Sequence, residues 1–192
     1  MENLSLDDVR GIEAYCELLI KWNAKINLVG RATISEIKER HVLDCIQLSS
    51  FINKKESLVD LGSGAGLPGI LLSIIGHEDV TLVESDQKKC VFLREVRRAL
   101  NLKCNILNMR IEEMKDCKYD LVVSRALASL NLLLDFSEPI LKEGGRCLFL
   151  KGSSFQEEID LAKQYWSFKY ETIPSKTGCG GVILEVQNII RY

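Results

Sequence analysis

A glycine-rich segment is the part of this chain whose residue types and spacing are best suited to binding a ligand. It reads Asp60-Leu61-Gly62-Ser63-Gly64-Ala65-Gly66-Leu67-Pro68-Gly69 and follows an apolar run. Glycine takes positive φ readily and leaves room for a ligand to lie against the backbone. Proline is pre-organised for the first position of a helix. The segment therefore predicts a strand, a tight loop and a helix, which together form the front edge of a nucleotide-type site.

The spacing of the glycines separates two classes of ligand. A dinucleotide-binding loop has the pattern G-x-G-x-x-G, whereas this loop has G-x-G-x-G, with Leu67 where the third glycine would stand. The pattern resembles the first motif of S-adenosylmethionine-dependent methyltransferases, whose loop packs against the amino-acid and ribose parts of the cofactor. A purely structural turn is the alternative. The cofactor contacts expected in the loop are Gly62, Gly64, Gly66 and Leu67.

A second acidic residue supports the nucleotide-type site. Glu84 ends the run Val80-Thr81-Leu82-Val83-Glu84 and lies 22 residues beyond Gly62. A carboxylate about 20 residues past such a loop, at the tip of the second strand, can accept hydrogen bonds from ribose hydroxyls. A solvated glutamate at a strand end is the alternative. The spacing favours Glu84 as a ribose ligand.

The elements that must position these residues alternate along the chain. Such alternation predicts βαβ units and a parallel sheet, and a glycine-rich turn over 177–181 predicts that the last strand is antiparallel. We expect an α/β fold with a doubly wound, mostly parallel, seven-stranded sheet. Residues 1–53 form a helical N-terminal cap and 54–192 form the core. The predicted strands are 57–61, 80–84, 104–108, 119–124, 145–150, 167–173 and 181–189. The predicted helices are 6–22, a segment from Thr33 or Ser35 to Phe51, 68–76, 86–100, 129–141 and 154–165.

Composition and charge narrow the class of protein further. The chain has 192 residues, of which 46% are hydrophobic and 27% are charged, and its net charge is −2. This suits one soluble domain, and any binding of nucleic acid must come from a local patch. The seven cysteines show no C-x-x-C pair, which predicts reduced thiols and no metal site. No apolar run reaches the length of a membrane span, so the expected location is the cytoplasm.

Three polar segments follow predicted strands, at the sheet edge where ligands of parallel sheets bind. They are Asn108 to Glu112, Ser124 to Ala126, and Lys151-Gly152. Arg125 ends an otherwise apolar strand, and a guanidinium there can pair bidentately with a phosphate or with a cofactor carboxylate. A salt bridge or a surface position is the alternative for Arg125.

The end of the fourth predicted strand also lacks groups that some classes of methyltransferase need. Enzymes that act on exocyclic amines of bases usually carry an [Asp/Asn]-Pro-Pro-aromatic motif there, whereas this chain has Ser124-Arg125-Ala126-Leu127. Methylation of a base carbon needs a cysteine nucleophile, and none stands at this position. A ring nitrogen with an available lone pair fits the remaining chemistry, and alignment with the methyl donor would supply most of the rate. Arg125 is then a positioning residue, and no side chain acts as an acid or base.

Basic residues offer two further candidate surfaces. The helix after Glu84 carries Arg94 and Arg97 among its basic residues, and such a face can meet phosphates or be an ordinary solvated face. His41 lies in Arg40-His41-Val42-Leu43-Asp44, where a lone histidine is equally explained as structural.

Four segments together resemble one family. Arg40 to Asp44, the loop Asp60 to Gly69, Ser124-Arg125-Ala126-Leu127-Ala128-Ser129-Leu130 and Leu150-Lys151-Gly152 occur in this order and spacing. They are similar to the small-subunit (16S) ribosomal RNA guanine-N7 methyltransferases, also named glucose-inhibited division protein B. The chain departs from many members at Ala65, where they have proline, and at Glu84, where they have aspartate.

The resemblance implies a Rossmann-like class I methyltransferase of the bacterial cytoplasm. It implies S-adenosylmethionine as cofactor and 16S rRNA or the small ribosomal subunit as partner, and we expect a monomer. The cofactor contacts it implies beyond the glycine loop are Glu84, Ile111, Glu112 and Arg125. The RNA contacts that we expect are Arg40, His41, Arg94, Arg97, Arg110 and Lys151.

Two other functions remain compatible with the residues. A small-molecule methyltransferase on the same fold would explain the modest net charge without RNA. A non-catalytic nucleotide-binding assembly factor would bind the cofactor and transfer nothing. The methylated position, the choice between naked rRNA and an assembled subunit, and the role of the segment from Gln156 stay open at this point.

Overall fold

Within residues 4–114, 117–177 and 180–192, which the computed structural model describes, seven strands form one sheet. Their order across the sheet is β3-β2-β1-β4-β5-β7-β6. Pairing is parallel from β3 through β5, and β7 is antiparallel to both β5 and β6. The predicted fold class is confirmed. The strands are β1 (Leu58–Leu61), β2 (Val80–Glu84), β3 (Asn105–Asn108), β4 (Tyr119–Arg125), β5 (Leu141–Lys151), β6 (Trp166–Pro174) and β7 (Val182–Arg191).

Helices cover both faces of the sheet, so its central strands are apolar on both sides. One buried cluster joins the N-terminal helices, α3 and α4 to one face, and a second joins α5 and α6 to the other. The helices are α1 (Leu6–Asn23), α2 (Leu43–Ile46), α3 (Gly69–Ile74), α4 (Gln87–Ala99), α5 (Leu130–Ser137) and α6 (Phe155–Ala162), with 3₁₀ turns at Ile111–Glu113 and Glu138–Ile140.

Residues 4–53, which we call the N-terminal cap, pack on the first of these clusters. The helix α1 begins as predicted, because Ser5 and Asp8 form a reciprocal capping box: Ser5 Oγ accepts from Asp8 N at 3.1 Å, and Asp8 Oδ2 accepts from Ser5 N at 2.8 Å. The Tyr15 hydroxyl donates to the carbonyl of Ala65 at 2.8 Å. The cap therefore touches the glycine loop directly.

The second predicted helix is not one regular helix, and that prediction was wrong. The segment is a 3₁₀ helix (Arg31–Glu36), a π-helical turn (Lys38–Val42), α2 and a further 3₁₀ helix (Gln47–Phe51). Its buried apolar residues are Ile37, Val42, Cys45 and Leu48. They lie five, three and three residues apart. One face can bury all four only if the chain has a wider π-helical turn first and a tighter 3₁₀ turn later. Packing overrides the regular period here.

Smaller differences concern element ends and the C-terminal turn. Pro68 precedes α3 as its cap residue, after a cis peptide bond, and does not occupy the first helical position. The strand β5 begins at Leu141, before the predicted residue 145. Within the predicted glycine-rich turn, Gly178 and Cys179 lie outside the described residues. The direction of the last strand is as predicted.

The sheet order locates the site. The chain runs outward from β1 to β3 on one side and from β4 on the other, so the topological switch point lies between β1 and β4. In open α/β sheets, ligands bind in the crevice outside the carboxyl ends of the strands at such a point. The glycine loop follows β1 and Arg125 ends β4, so the two flank this crevice.

Candidate active site

The glycine loop has the backbone that its sequence predicts. Gly62, Gly64 and Gly66 have backbone φ values of 67°, 53° and 86°. Residues other than glycine rarely adopt this region of positive φ. A Cβ at Gly62 would lie 2.5 Å from Leu127 Cδ1, and one at Gly66 would lie 2.3 Å from Ile70 Cγ1. At Gly64 the nearest atom would be 3.8 Å away. Gly62 and Gly66 thus permit close packing, whereas Gly64 faces open space in which a ligand can lie.

The carboxylates of Asp60 and Glu84 accept hydrogen bonds from backbone N–H groups of the loop segment. Asp60 Oδ2 accepts from Gly69 N at 2.9 Å, and Glu84 Oε2 accepts from Gly64 N at 2.9 Å while its Oε1 accepts from Asp86 N at 2.8 Å. Asp60 is fully buried, and its Oδ1 has no partner in the described residues. Burial raises the pKa of Asp60 to about 7. Each carboxylate oxygen has two lone pairs, so Glu84 can still accept from a ribose hydroxyl.

A cavity of about 710 Å³ lies on the other side of Leu127 from the loop. Its walls come from the cap, from the segment after β4, from the end of β5, from α6 and from the turn between β6 and β7. Leu127 lines this cavity and also lies on Gly62. Leu127 therefore separates the glycine loop from the cavity, and we call these two neighbouring regions the loop side and the cavity side of the site. Ala126, at the rim, has a φ of 53°, which is uncommon outside glycine.

Arg125 is held at the junction by residues of the cap. Its Nη2 donates to His41 Nδ1 at 2.7 Å and to the Arg40 carbonyl at 3.2 Å, and its Nε lies 3.4 Å from Asp44 Oδ2. The side chain is 18% exposed. The salt bridge that the sequence left open as an alternative is present, and it coexists with a position on the cavity wall.

Lys151, predicted to contact RNA, is instead mostly buried within the cavity wall. Its ammonium lies 2.6 Å from Glu158 Oε2 and donates to the Ala128 carbonyl at 3.0 Å, and its side chain is 8% exposed. Glu158 also accepts from Leu130 N at 2.7 Å. The pair therefore fixes the segment after β4 against α6. A phosphate could reach Lys151 only by displacing this pairing.

Two groups of the remaining predicted residues lie beside the site. Ile111 and Glu112 lie in the 3₁₀ turn after β3, on the loop side, with Arg110 exposed just before them. Arg40 is half exposed beside the cavity and pairs with Glu36.

His41 and Arg97 are not placed as their predicted RNA contacts require. His41 is 9% exposed, with its ring between Arg125 and Thr33. The helix α4 starts at the site and runs away from it, so Arg97 lies about 15 Å along its axis from Gln87. Arg97 donates to the carbonyl of Cys104, which precedes β3, at 3.5 Å. Arg97 is therefore at the opposite edge of the sheet, while Arg94 is exposed midway along α4.

Three residues that the sequence reasoning left without a role help to build the site. Asp44 was quoted only as part of a motif, yet its carboxylate binds Arg125. Tyr15 reaches the loop from α1, and Glu158 binds Lys151. Asp44 carried a signal, since it lies one turn from His41 in a motif. Neither Tyr15 nor Glu158 carried one, because each contact joins distant segments.

The thiols of Cys45 and Cys147 are fully buried. Burial raises the pKa of the Cys45 thiol to about 12 and that of the Cys147 thiol to about 12. Among the described residues no group of three or more His, Cys, Asp or Glu side chains is arranged to hold a metal ion. Searched over the same residues, none of the helices has the length and apolar character of a membrane span.

Comparison with known proteins identifies the family. Residues 8–185 match the model of GidB, described as rRNA small subunit methyltransferase G. The chain belongs to this family. It is 42% identical over 191 residues to ribosomal RNA small subunit methyltransferase G of Gluconobacter oxydans, with 100% of this chain and 99% of that protein covered. The protein of that name from Paramagnetospirillum magneticum is 43% identical, with 98% and 92% covered.

Membership of the GidB family confirms the resemblance and the predicted class of enzyme and cofactor, an S-adenosylmethionine-dependent methyltransferase. Solved structures agree on the fold. A mutant of MtNAS in complex with S-adenosylmethionine superposes with a TM-score of 0.64 at 15% identity, covering 95% of this chain and 76% of that one. The M. jannaschii protein TYW2 in complex with AdoMet gives 0.59 at 19% identity, covering 88% and 80%.

Proposed function

We propose that this protein transfers a methyl group from S-adenosylmethionine to N7 of a guanine in bacterial small-subunit (16S) rRNA. The observation that carries the proposal is the match of nearly the whole chain to the GidB family. The geometry of the site adds support, because it offers a cofactor cradle and, beside it, a cavity in which the described groups His41, Asp44 and Glu158 already hold partners.

On the loop side, the residues present fit the cofactor. The open space at Gly64 lets the amino-acid part lie against the backbone, with Gly62, Gly66 and Leu67 shaping the loop. The Glu84 carboxylate would accept from the ribose hydroxyls, and Ile111 and Glu112 would lie beside the adenine. When bound, S-adenosylmethionine supplies the electrophilic methyl group.

On the cavity side, the chemistry of guanine N7 matches what the residues can do. N7 carries an in-plane lone pair, and its methylation gives a cationic base with no proton to remove, so no general base is required. His41 cannot act as one, since Arg125 donates to one ring nitrogen and Thr33 binds the other. The Ser124 hydroxyl donates its hydrogen bond to the Leu61 carbonyl at 3.0 Å. The enzyme then acts chiefly by alignment, and Arg125 positions the cofactor or the RNA.

Exposed cations around the site are the proposed contacts with the RNA. Arg40 and Arg110 are accessible cations near the site edge. Arg94, midway along α4, and Arg97, near its far end, contribute only if the RNA extends along that helix. Because the net charge is −2, binding depends on these local cations. The protein acts as a monomer in the bacterial cytoplasm, with residues 1–53 as a cap on the core 54–192.

One experiment separates this function from its alternatives. The protein is incubated with radiolabelled S-adenosylmethionine and small subunits from cells lacking the modification, and methylated guanines are mapped by cleavage at 7-methylguanine. One labelled guanine N7 in 16S rRNA is expected. Label in small molecules and none in RNA would favour a small-molecule methyltransferase, and cofactor binding without transfer to either would favour an assembly factor.

A further inference from the structure

A chain of hydrogen bonds runs from Arg125 through His41 into the cap. Arg125 Nη2 is 2.7 Å from His41 Nδ1, and His41 Nε2 is 2.8 Å from Thr33 Oγ1. The Thr33 hydroxyl in turn donates to the Gly30 carbonyl at 2.9 Å. The chain joins the end of β4 to the first part of the cap.

The chemistry of these groups determines the protonation state of His41. A guanidinium only donates hydrogen bonds, so His41 Nδ1 must carry a lone pair. The one hydroxyl hydrogen of Thr33 goes to Gly30, so its oxygen accepts from a protonated His41 Nε2. Neutral His41 with the proton on Nε2 satisfies every partner. An imidazolium would place a second N–H against the guanidinium and break the link.

Asp44 holds the same guanidinium from another side and links it to the C-terminal hairpin. Its Oδ2 lies 3.4 Å from Arg125 Nε, while its Oδ1 accepts from Ser175 Oγ at 2.9 Å and from Gln47 Nε2 at 3.0 Å. Thr177 Oγ1 also donates to Asp44 Oδ1, at 3.3 Å. Ser175 and Thr177 belong to the turn between β6 and β7, so Asp44 joins three segments that wall the cavity.

The charges around His41 favour its neutral form. Burial, the Arg125 guanidinium on β4 and Arg40 on its own segment lower the pKa of His41, Asp44 opposes them, and the net pKa is about 4. His41 is therefore a neutral acceptor throughout the physiological range. Neither His41 nor Asp44 is needed as an acid or base for N7 methylation.

We propose that neutral His41 and the Asp44 carboxylate are positioning residues, which together fix the orientation of the Arg125 guanidinium on the cavity wall during methyl transfer. The inference rests on the proposed function. An arginine side chain has many rotamers. Acceptors at both Nη2 and Nε of the guanidinium restrict Arg125 to a single rotamer. Holding the guanidinium before the substrate arrives keeps the entropy cost out of the reaction step.

The first test does not depend on activity. The chain has two histidines, His41 and His77, so long-range ¹H–¹⁵N NMR of the full protein at pH 7 gives two imidazoles, and a His77→Asn variant assigns them. A bare Nδ1 and a protonated Nε2 are expected for His41. A proton on Nδ1, or an imidazolium, would overturn the proposal whether or not rRNA is the substrate.

The second test uses a rescue variant. His41→Asn keeps an acceptor at the δ position, whereas His41→Phe keeps a ring without an acceptor. His77→Phe is the control, because His77 is also buried and binds Ser49 at 3.0 Å without touching Arg125. On unmodified small subunits, we expect kcat to fall about tenfold in His41→Phe and to stay within about threefold of wild type in His41→Asn. S-adenosylmethionine affinity and the loss of thermal stability should match those of His77→Phe.

Two kinetic results would contradict the positioning role. Wild-type kcat in His41→Phe would mean that Arg125 needs no acceptor, and equal loss in both His41 variants would mean that the acceptor is not what matters. If wild-type protein transfers no methyl group to rRNA, the proposed function fails instead, and the NMR result alone then decides the proton position. The pH profile adds a check: wild-type kcat should fall as the pH drops from 6 towards 4, and His41→Asn should lack that fall.

Discussion

The loop side and the cavity side of the site are built in different ways. The loop side comes from one short stretch and the tip of the next strand, and side chains hold its backbone through local hydrogen bonds such as Glu84 to Gly64. The cavity side is assembled from the cap, β4, β5, α6 and the turn after β6, joined by ion pairs such as Arg125 with Asp44. One side depends on backbone conformation and the other on contacts between distant segments. Substitutions on the loop side should therefore lower cofactor affinity, whereas substitutions on the cavity side should lower turnover.

The largest effect is expected at the loop. Gly64→Asp should abolish measurable S-adenosylmethionine binding, a loss of more than about 100-fold, because its side chain fills the ligand's space and adds a charge near the cofactor carboxylate. Gly144→Asp is the matched control, since Gly144 has a φ of 73° and open space around it but lies at the start of β5. Calorimetry should show loss in the first variant only. Near-normal affinity in Gly64→Asp would remove the basis for the loop side.

A smaller loss is expected at the ribose position. Glu84→Ala should weaken S-adenosylmethionine binding by about 1.5–3 kcal/mol, the size of hydrogen bonds to a charged group. Glu84→Gln, which retains one acceptor for the loop backbone, should lose less. A loss of binding free energy below about 0.3 kcal/mol in calorimetry would mean that Glu84 holds the loop backbone but does not bind the ribose.

The cavity side should respond in turnover rather than in cofactor affinity. Arg125→Ala should lower kcat about tenfold by misplacing the RNA or the methyl donor. Arg146→Ala is the matched control: Arg146 is also 18% exposed, pairs with Glu56, and joins the sheet to the cap by donating to the Phe51 carbonyl at 2.6 Å. Both variants should lose stability to a similar extent, measured by thermal unfolding, but Arg146→Ala should keep its kcat. Full activity in Arg125→Ala would defeat its positioning role.

The two ends of α4 should differ in their contribution to RNA binding. Lys88→Glu with Lys89→Glu, at the end beside the site, should reduce the salt slope of rRNA binding by about 2. Arg94→Glu with Arg97→Glu should reduce it by about 1 or less, because Arg97 lies at the far edge. Binding measured from 50 to 300 mM salt compares the two. The opposite ranking would show that the RNA runs along α4.

Asp60 should affect the stability of the fold in a pH-dependent way. Because the pKa of Asp60 is raised from 3.8 to about 7 in the fold, the folded state binds more protons between these values, and stability falls as pH rises through them. Asp60→Asn removes this titration. Its melting temperature relative to wild type should therefore rise from pH 4 to pH 8, by about 10 °C for a shift of this size. A constant difference would show that Asp60 is not titrating in that range.

The same contrast explains what the sequence could predict. The loop, Glu84 and the alternation of strands and helices carry local signals, and the structure has them where they were expected. The salt bridges of Arg125 with Asp44 and of Lys151 with Glu158 join residues far apart in the chain. The motif around His41 marks Asp44, but no local pattern gives the partner of either cation. The irregular helix from 31 to 51 was missed for a related reason, since contacts with the core decide its winding. The site residues themselves stay predictions until variants are measured.

The central claim is methylation of a guanine N7 in small-subunit rRNA, and the most direct measurement is methyl transfer from radiolabelled S-adenosylmethionine to unmodified subunits, followed by mapping of 7-methylguanine. We expect one labelled guanine N7 with wild-type protein and with Gly144→Asp, and none with Gly64→Asp. No labelled 7-methylguanine in 16S rRNA with wild-type protein, or label on a different atom of a base, would contradict the account.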